Sequence, residues 1–207
     1  MSAVPSLPRR IGGIAVPQDE VSAATRAWAN RSLPRYLLAH SIRAYCWGAA
    51  IAEVEAWSFD RRILWTSSLF HDNGLRRIGR NTMCFEVEGA ELAQRLLERM
   101  GMPADEADRV AIAIILHMQP AVTLDDGVEA VLLDRATGLD VRGAEFELVH
   151  DVRGAVVRAY PRGAFDRHFL DAIRREGAVR RDCQSARLLI ETDLAAWMAR
   201  SPWRSTG

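Results

Sequence analysis

Apolar residues recur along most of the chain at helical spacing, with little of the strict alternation that marks half-buried strands. Between Pro34 and Trp57, Leu37, His40 and Ser41, Ala44, Trp47 and Gly48, Ile51 and Val54 share one stripe of a 3.6-residue period, and Pro34 suits a first turn. Upstream, Asp19 or Ser22 can cap a helix running toward Ala29. Asp60 caps a shorter segment with Ile63, Leu64, Ser67 and Phe70 inward, which runs into His71-Asp72-Asn73-Gly74, with Gly74 as its stop. Glu86 to Met100 is amphipathic and ends at Gly101, and Asp105 to His117 stops before Pro120. Further helices fit 126–137, 145–158, 163–176 and 184–200. Asn-Gly hairpin turns are absent, so the expected fold class is all-α, a helical bundle. Residues 1–17, punctuated by Pro5, Pro8, Gly12, Gly13 and Pro17, read as a loose N-terminal arm, leaving 18–207 as a single helical domain.

Charge narrows the range of partners. Lys+Arg and Asp+Glu both total 27, and every fixed positive side chain is arginine, which removes lysine chemistry. The arginine pairs are scattered rather than gathered in a basic stripe, so the expected partner is a small-molecule substrate and not nucleic acid. No apolar run approaches the ~20 residues of a membrane span. Cys46, Cys84 and Cys183 are odd in number and far apart, with no C-x-x-C pair, which predicts neither a disulfide framework nor a zinc finger and fits a reducing cytoplasm. Length and charge leave the oligomeric state open, a homo-oligomer included.

Within this frame a few polar residues stand out. His40 lies on the apolar stripe of its helix, where a buried imidazole needs a partner. A lone inward histidine is ordinarily a core residue bonded to a carbonyl, but His71 repeats the situation four residues after Ser67. Asp72 sits at the negative end of an apolar helix, where a carboxylate is disfavoured by roughly 0.3–1 kcal/mol unless something positive compensates. A divalent ion or an arginine such as Arg76 or Arg77 satisfies that need equally well. His117 reads either as a cavity-facing group able to carry a proton or as a helix-terminal residue contacting the last carbonyls. Glu86 and Glu88 open a helix, where first-turn charge explains them, although either can approach a metal site. His150 reads as exposed, His168 as a packing residue, and Trp47 as a core residue that can also wall a pocket.

Ala39-His40-Ser41-Ile42-Arg43-Ala44-Tyr45 followed by Ser68-Leu69-Phe70-His71-Asp72-Asn73-Gly74-Leu75 resembles the H…HD…D signature of HD-domain metalloproteins. Phe85-Glu86-Val87-Glu88-Gly89-Ala90, Leu116-His117, Gly138-Leu139-Asp140-Val141 and Phe165-Asp166-Arg167-His168-Phe169 follow in the order of the cyanamide-hydratase-like branch. The resemblance implies an HD-type helical bundle holding one divalent metal through His40, His71, Asp72 and a distal aspartate. Asp140 is preferred to Asp134 for that position, because Asp140 follows a helix-ending Gly138 and Asp134 sits in an apolar helical stretch suited to pairing with an arginine. Two imidazoles and two carboxylates suit zinc, iron, manganese or cobalt, and the resemblance implies zinc first. The implied activity is that of a hydratase or hydrolase acting on a cyanamide-like or nitrile-like C≡N compound by metal-hydroxide attack, with Asp72 and His117 as the catalytic residues. A phosphohydrolase acting on a nucleotide or phosphomonoester, with Arg76 and Arg77 clamping phosphate, is the competing expectation, followed by a ligand-binding module without turnover.

Overall fold

The computed structural model describes residues 7–77 and 83–203. A two-stranded antiparallel ribbon, β1 (Arg10–Ile11) and β2 (Ile14–Ala15), precedes ten helices among these residues. The helices are α1 (Glu20–Ser32), α2 (Arg35–Val54), α3 (Arg61–Phe70), α4 (Phe85–Arg99), α5 (Ala104–Leu116), α6 (Val128–Arg142), α7 (His150–Ala159), α8 (Phe165–Val179), α9 (Gln184–Glu191) and α10 (Leu194–Arg200). No helix among the described residues is long and apolar enough to cross a membrane.

The caps explain several boundaries. Asp19 accepts from the Ser22 amide to start α1, and Asp60 accepts from the Arg62 and Ile63 amides to start α3. The helix carrying Asp140 runs on through Gly138 and ends at Gly143, whose φ of 74° gives the left-handed C-cap. Gly138 is therefore interior, and Asp140 lies within the last turns of α6 instead of beyond its end. At the other extreme, the stretch expected as one helix over 184–200 is broken at Thr192 and Asp193, where the Asp193 side chain caps α10 afresh.

Every residue of α2 from His40 to Ala52 is buried, so this helix is the axis of the bundle rather than a surface element with one apolar face. The main core surrounds it with side chains from α3, α6, α8 and α10, while a smaller cluster of Ile63, Phe70, Leu97, Val110 and Ile114 joins α3 to α4 and α5. The described part of the N-terminal segment departs from the loose arm expected for it. Leu7, Ile11, Ile14 and Val16 are buried, Gly12 and Gly13 turn the ribbon, and the Tyr45 hydroxyl donates to the Ala15 carbonyl.

A disulfide joins Cys84 and Cys183, correcting the expectation that none would form. Sequence distance was the misleading signal, because the two residues are the caps that begin α4 and α9, and the packing of α8 and α9 brings those ends together. Beside it, the Phe85 amide donates to Glu176, and Arg180 of the segment after α8 pairs with both Glu176 and Glu88.

Candidate metal centre

His40 comes from the middle of α2, His71 is the cap that ends α3, and Asp72 follows it in the turn leading to a short 3-10 segment, Asn73–Arg77. Gly74 lets that turn pass directly beneath the start of α4, since a Cβ there would lie 2.0 Å from the Phe85 carbonyl oxygen. All three ligand candidates are essentially buried and offer atoms within 4.8 Å of one another. His40 Nε2 lies 3.1 Å from His71 Nε2, and Asp72 Oδ2 lies 3.5 Å from the first and 3.3 Å from the second.

The other nitrogen of each ring is already committed. His40 Nδ1 donates to Asp140 Oδ2 at 2.7 Å, and His71 Nδ1 donates to the Ser68 carbonyl at 2.7 Å. Both Nε2 atoms of the neutral rings therefore present lone pairs to each other. Asp72 Oδ2 is buried and has no hydrogen-bond donor. Two lone pairs and an unsatisfied carboxylate oxygen aimed at one point require positive charge between them, and a divalent ion with nitrogen and oxygen ligands fits that donor set.

Electrostatics follow the same arrangement. Burial pushes the Asp72 carboxyl up, but its attraction to His71 when that ring carries a proton, with His40 and His117 behind it, brings it down to about 2. Burial opposes a charge on His71 and Asp72 outweighs it, so the pKa of His71 rises, whereas burial dominates at His40 and lowers its pKa despite Asp140.

Asp140 does not point into the converging group. It stands behind His40 and receives four kinds of donor: Arg43 Nε and Nη2 at 2.8 and 2.7 Å, Trp47 Nε1 at 2.7 Å, His40 Nδ1, and Arg162 Nη1 at 3.4 Å. Burial raises the pKa of such a carboxyl, and the two guanidinium groups reverse this and hold it well below the usual range. Sequence inspection passed over Arg43, yet a single charge inside the apolar run from Ala39 to Ala52 demands a buried partner. Trp47 faces this carboxylate and stacks on Trp203, and so belongs to the core and not the pocket.

His117 both lines a cavity and contacts a carbonyl at the end of its helix. Its Nδ1 donates to the Ile114 carbonyl in the last turn of α5 at 2.6 Å, and its Nε2 faces Asp72 Oδ1 at 3.9 Å. Burial and the neighbouring His71 lower its pKa to about 4, so the ring is neutral at pH 7. Of the remaining candidates, Glu86 and Glu88 are buried instead of being solvated first-turn charges, and Glu86 Oε2 finds no partner among the described residues. Arg76 is exposed, bonds Asn73 and lies over the Trp28 ring, and the Arg77 side chain falls outside the described residues. His150 is exposed beside Asp151, and His168 packs on Tyr36.

His40, His71, Asp72 and His117 line one end of a cavity of about 390 Å³. Its wall is a stripe of α6, Asp134, Thr137, Gly138, Val141 and Arg142, faced by residues of α9 and α10. Asp134, expected to pair with an arginine, makes no hydrogen bond or ion pair through its side chain among the described residues, and burial raises its pKa to about 6 despite Arg142 nearby.

Residues 37–142, which span His40 through Asp140, match the HD domain family. Cyanamide hydratase DDI2 and cyanamide hydratase DDI3 of Saccharomyces cerevisiae (strain ATCC 204508 / S288c) are each 30% identical to this chain over 165 residues, covering 77% of it and 73% of the yeast proteins. With two imidazoles and a carboxylate converging inside an all-helical bundle, the chain belongs to the HD-domain family and is similar there to the cyanamide hydratases.

Proposed function

We propose that this HD-domain protein is a metal-dependent enzyme that adds water across the C≡N bond of a cyanamide or nitrile. The observation that carries the reading is the meeting of His40 Nε2, His71 Nε2 and the undonated Asp72 Oδ2, all buried, on the wall of a cavity, with His117 Nε2 beside them. His40, His71 and Asp72 hold the ion in this reading, and Asp140 completes the site through His40 Nδ1. A divalent ion there would supply a Lewis acid and lower the pKa of bound water toward ~7, with zinc the first choice by resemblance to the family.

The chain's own groups handle the protons. His117 is neutral at pH 7 and its Nδ1 hydrogen is fixed on the Ile114 carbonyl, so Nε2 is the acceptor that faces the reacting region. It accepts a proton as the water oxygen bonds to the nitrile carbon, and returns one to the nitrogen as a carbon–nitrogen π bond breaks. Asp72 Oδ1, 3.9 Å from His117 Nε2, stabilises the imidazolium that forms there and offers a second proton station. The product from cyanamide is urea after tautomerisation.

Phosphohydrolysis draws less support. Arg142 is the one arginine among the cavity's lining residues, where Asp134 and Glu191 add their carboxylates to that of Asp72. A phosphoester would find a single guanidinium to clamp it there, with carboxylates beside it.

The test is turnover of cyanamide and a panel of nitriles by metal-analysed protein, with urea or amide as the readout. Activity should vanish with a chelator, return with a divalent metal, and fall at least a hundredfold in His117→Ala. Metal-loaded protein that turns over no member of the panel ends this assignment.

A further inference from the structure

The cavity is far larger than its inner end requires. Cyanamide has three heavy atoms, comparable to two or three waters at ~30 Å³ each. The volume of about 390 Å³ falls in the range of sites that enclose a molecule of drug-like size.

Its outer part has a distinct character. Leu188, Leu194 and Trp197 form an apolar wall opposite α6. Across from them Asp134 presents a partly buried carboxylate with no described partner, and Glu191 adds a second negative charge. Arg142 does not neutralise Asp134 by contact, because its guanidinium folds over Gly138, where a Cβ would lie 2.7 Å from Nη2, and rests on the Trp197 ring at 5.5 Å. An unpaired, half-shielded carboxylate beside an aromatic and aliphatic wall is suited to an organic cation.

We propose that this outer chamber is a substrate subsite and that the substrate is a substituted cyanamide or nitrile, its C≡N head at the three histidines, its apolar body against Leu188, Leu194 and Trp197, and a cationic nitrogen against Asp134. The identity of the head group rests on the hydratase reading, whereas the subsite stands on the shape and charge of the chamber. Asp134 is in this view a specificity-determining residue that leaves the chemical step alone.

Two measurements separate these parts. The first is calorimetric binding of benzylamine and of benzyl alcohol, its near-isosteric neutral counterpart, to the metal-loaded protein. Benzylamine should bind at least tenfold more tightly, and Asp134→Asn, checked for an intact fold by circular dichroism, should erase that preference. Equal affinities, or a preference that survives in Asp134→Asn, would overturn the subsite. The second is turnover of cyanamide, benzylcyanamide and its 4-aminomethyl derivative. The value of kcat/KM should rise in that order, and Asp134→Asn should lower the last about tenfold through KM with kcat and the benzylcyanamide value unchanged. Unsubstituted cyanamide as the best substrate would overturn the proposed substrate class. Preferential amine binding without turnover of any cyanamide would uphold the subsite and remove the hydratase reading alone.

Discussion

Arg43 and Asp140 form a fully buried bidentate pair between two core helices, α2 and α6, with Nε on Oδ1 at 2.8 Å and Nη2 on Oδ2 at 2.7 Å. The same carboxylate receives His40 Nδ1, so one residue links the helix packing to the orientation of a candidate metal ligand. Removing Arg43 would take away the bidentate partner of a buried charge and leave it one guanidinium, Arg162, at 3.4 Å. Arg43→Ala should lower the unfolding free energy by about 3–5 kcal/mol, measured by denaturant titration.

Asp140→Asn keeps the shape of the side chain and removes its charge. Because the carboxylate acts on the site through His40, metal affinity should fall about 10–100-fold with binding still measurable at high metal concentration. His71→Ala and Asp72→Ala should abolish stoichiometric metal altogether. Elemental analysis across a metal titration distinguishes the two patterns, and an Asp140→Asn protein that binds no metal at any concentration would place Asp140 among the direct ligands.

Asp134 makes the folded protein pH-sensitive in a direction that can be worked out. Its pKa rises from an ordinary value of 3.8 to about 6 on folding, so the folded state binds the proton more tightly. Stability is then lost as pH climbs from about 4 through about 6 and stays lower above that. Asp134→Asn removes the loss; with full linkage of ~3 kcal/mol cut to ~1 kcal/mol by solvent screening of this partly exposed carboxylate, it should melt about 2–4 °C above the parent at pH 7.5. Below pH 4 the two melting curves should coincide.

The Cys84–Cys183 bond closes a loop with a sequence separation of 99. In the chain-entropy account a loop of this length contributes up to ~4.7 kcal/mol, and removal of such bonds commonly costs 2–5 kcal/mol. The double variant Cys84→Ser Cys183→Ser should show a loss within that range. Unreduced denatured protein should titrate with one thiol, that of the buried Cys46, and reduced protein with three.

The helical class and the inward histidines were readable because both depend on periodicity within a single element. His40 and His71 follow the apolar stripes of their own helices, and Asp72 signals itself as a carboxylate at the wrong end of a helix dipole. What escaped depends on relations between elements. The disulfide needs the starts of α4 and α9 side by side, and the outer chamber needs α9 and α10 folded back on α6. Local rules also misplaced the end of α6, since Gly138 and Gly143 are equally plausible stops by composition and only the chain's turn into the segment before α7 selects the second. Burial of Glu86 and Glu88 is likewise tertiary, imposed by the end of α8 that covers them.

The three histidines of the site differ in how they are held. Ser68 and Ile114 fix the rings of His71 and His117 through main-chain oxygens, which no side-chain replacement can delete, whereas the anchor of His40 is a side chain. Two of the imidazoles are thus insulated from point mutation at their anchors, and the third is exposed to it. Divergence in reactivity between chains built on this plan has one inexpensive route: exchange of the aspartate or of the arginine and tryptophan that clasp it, which alters the electron-donating power of a single ligand and leaves the other two untouched.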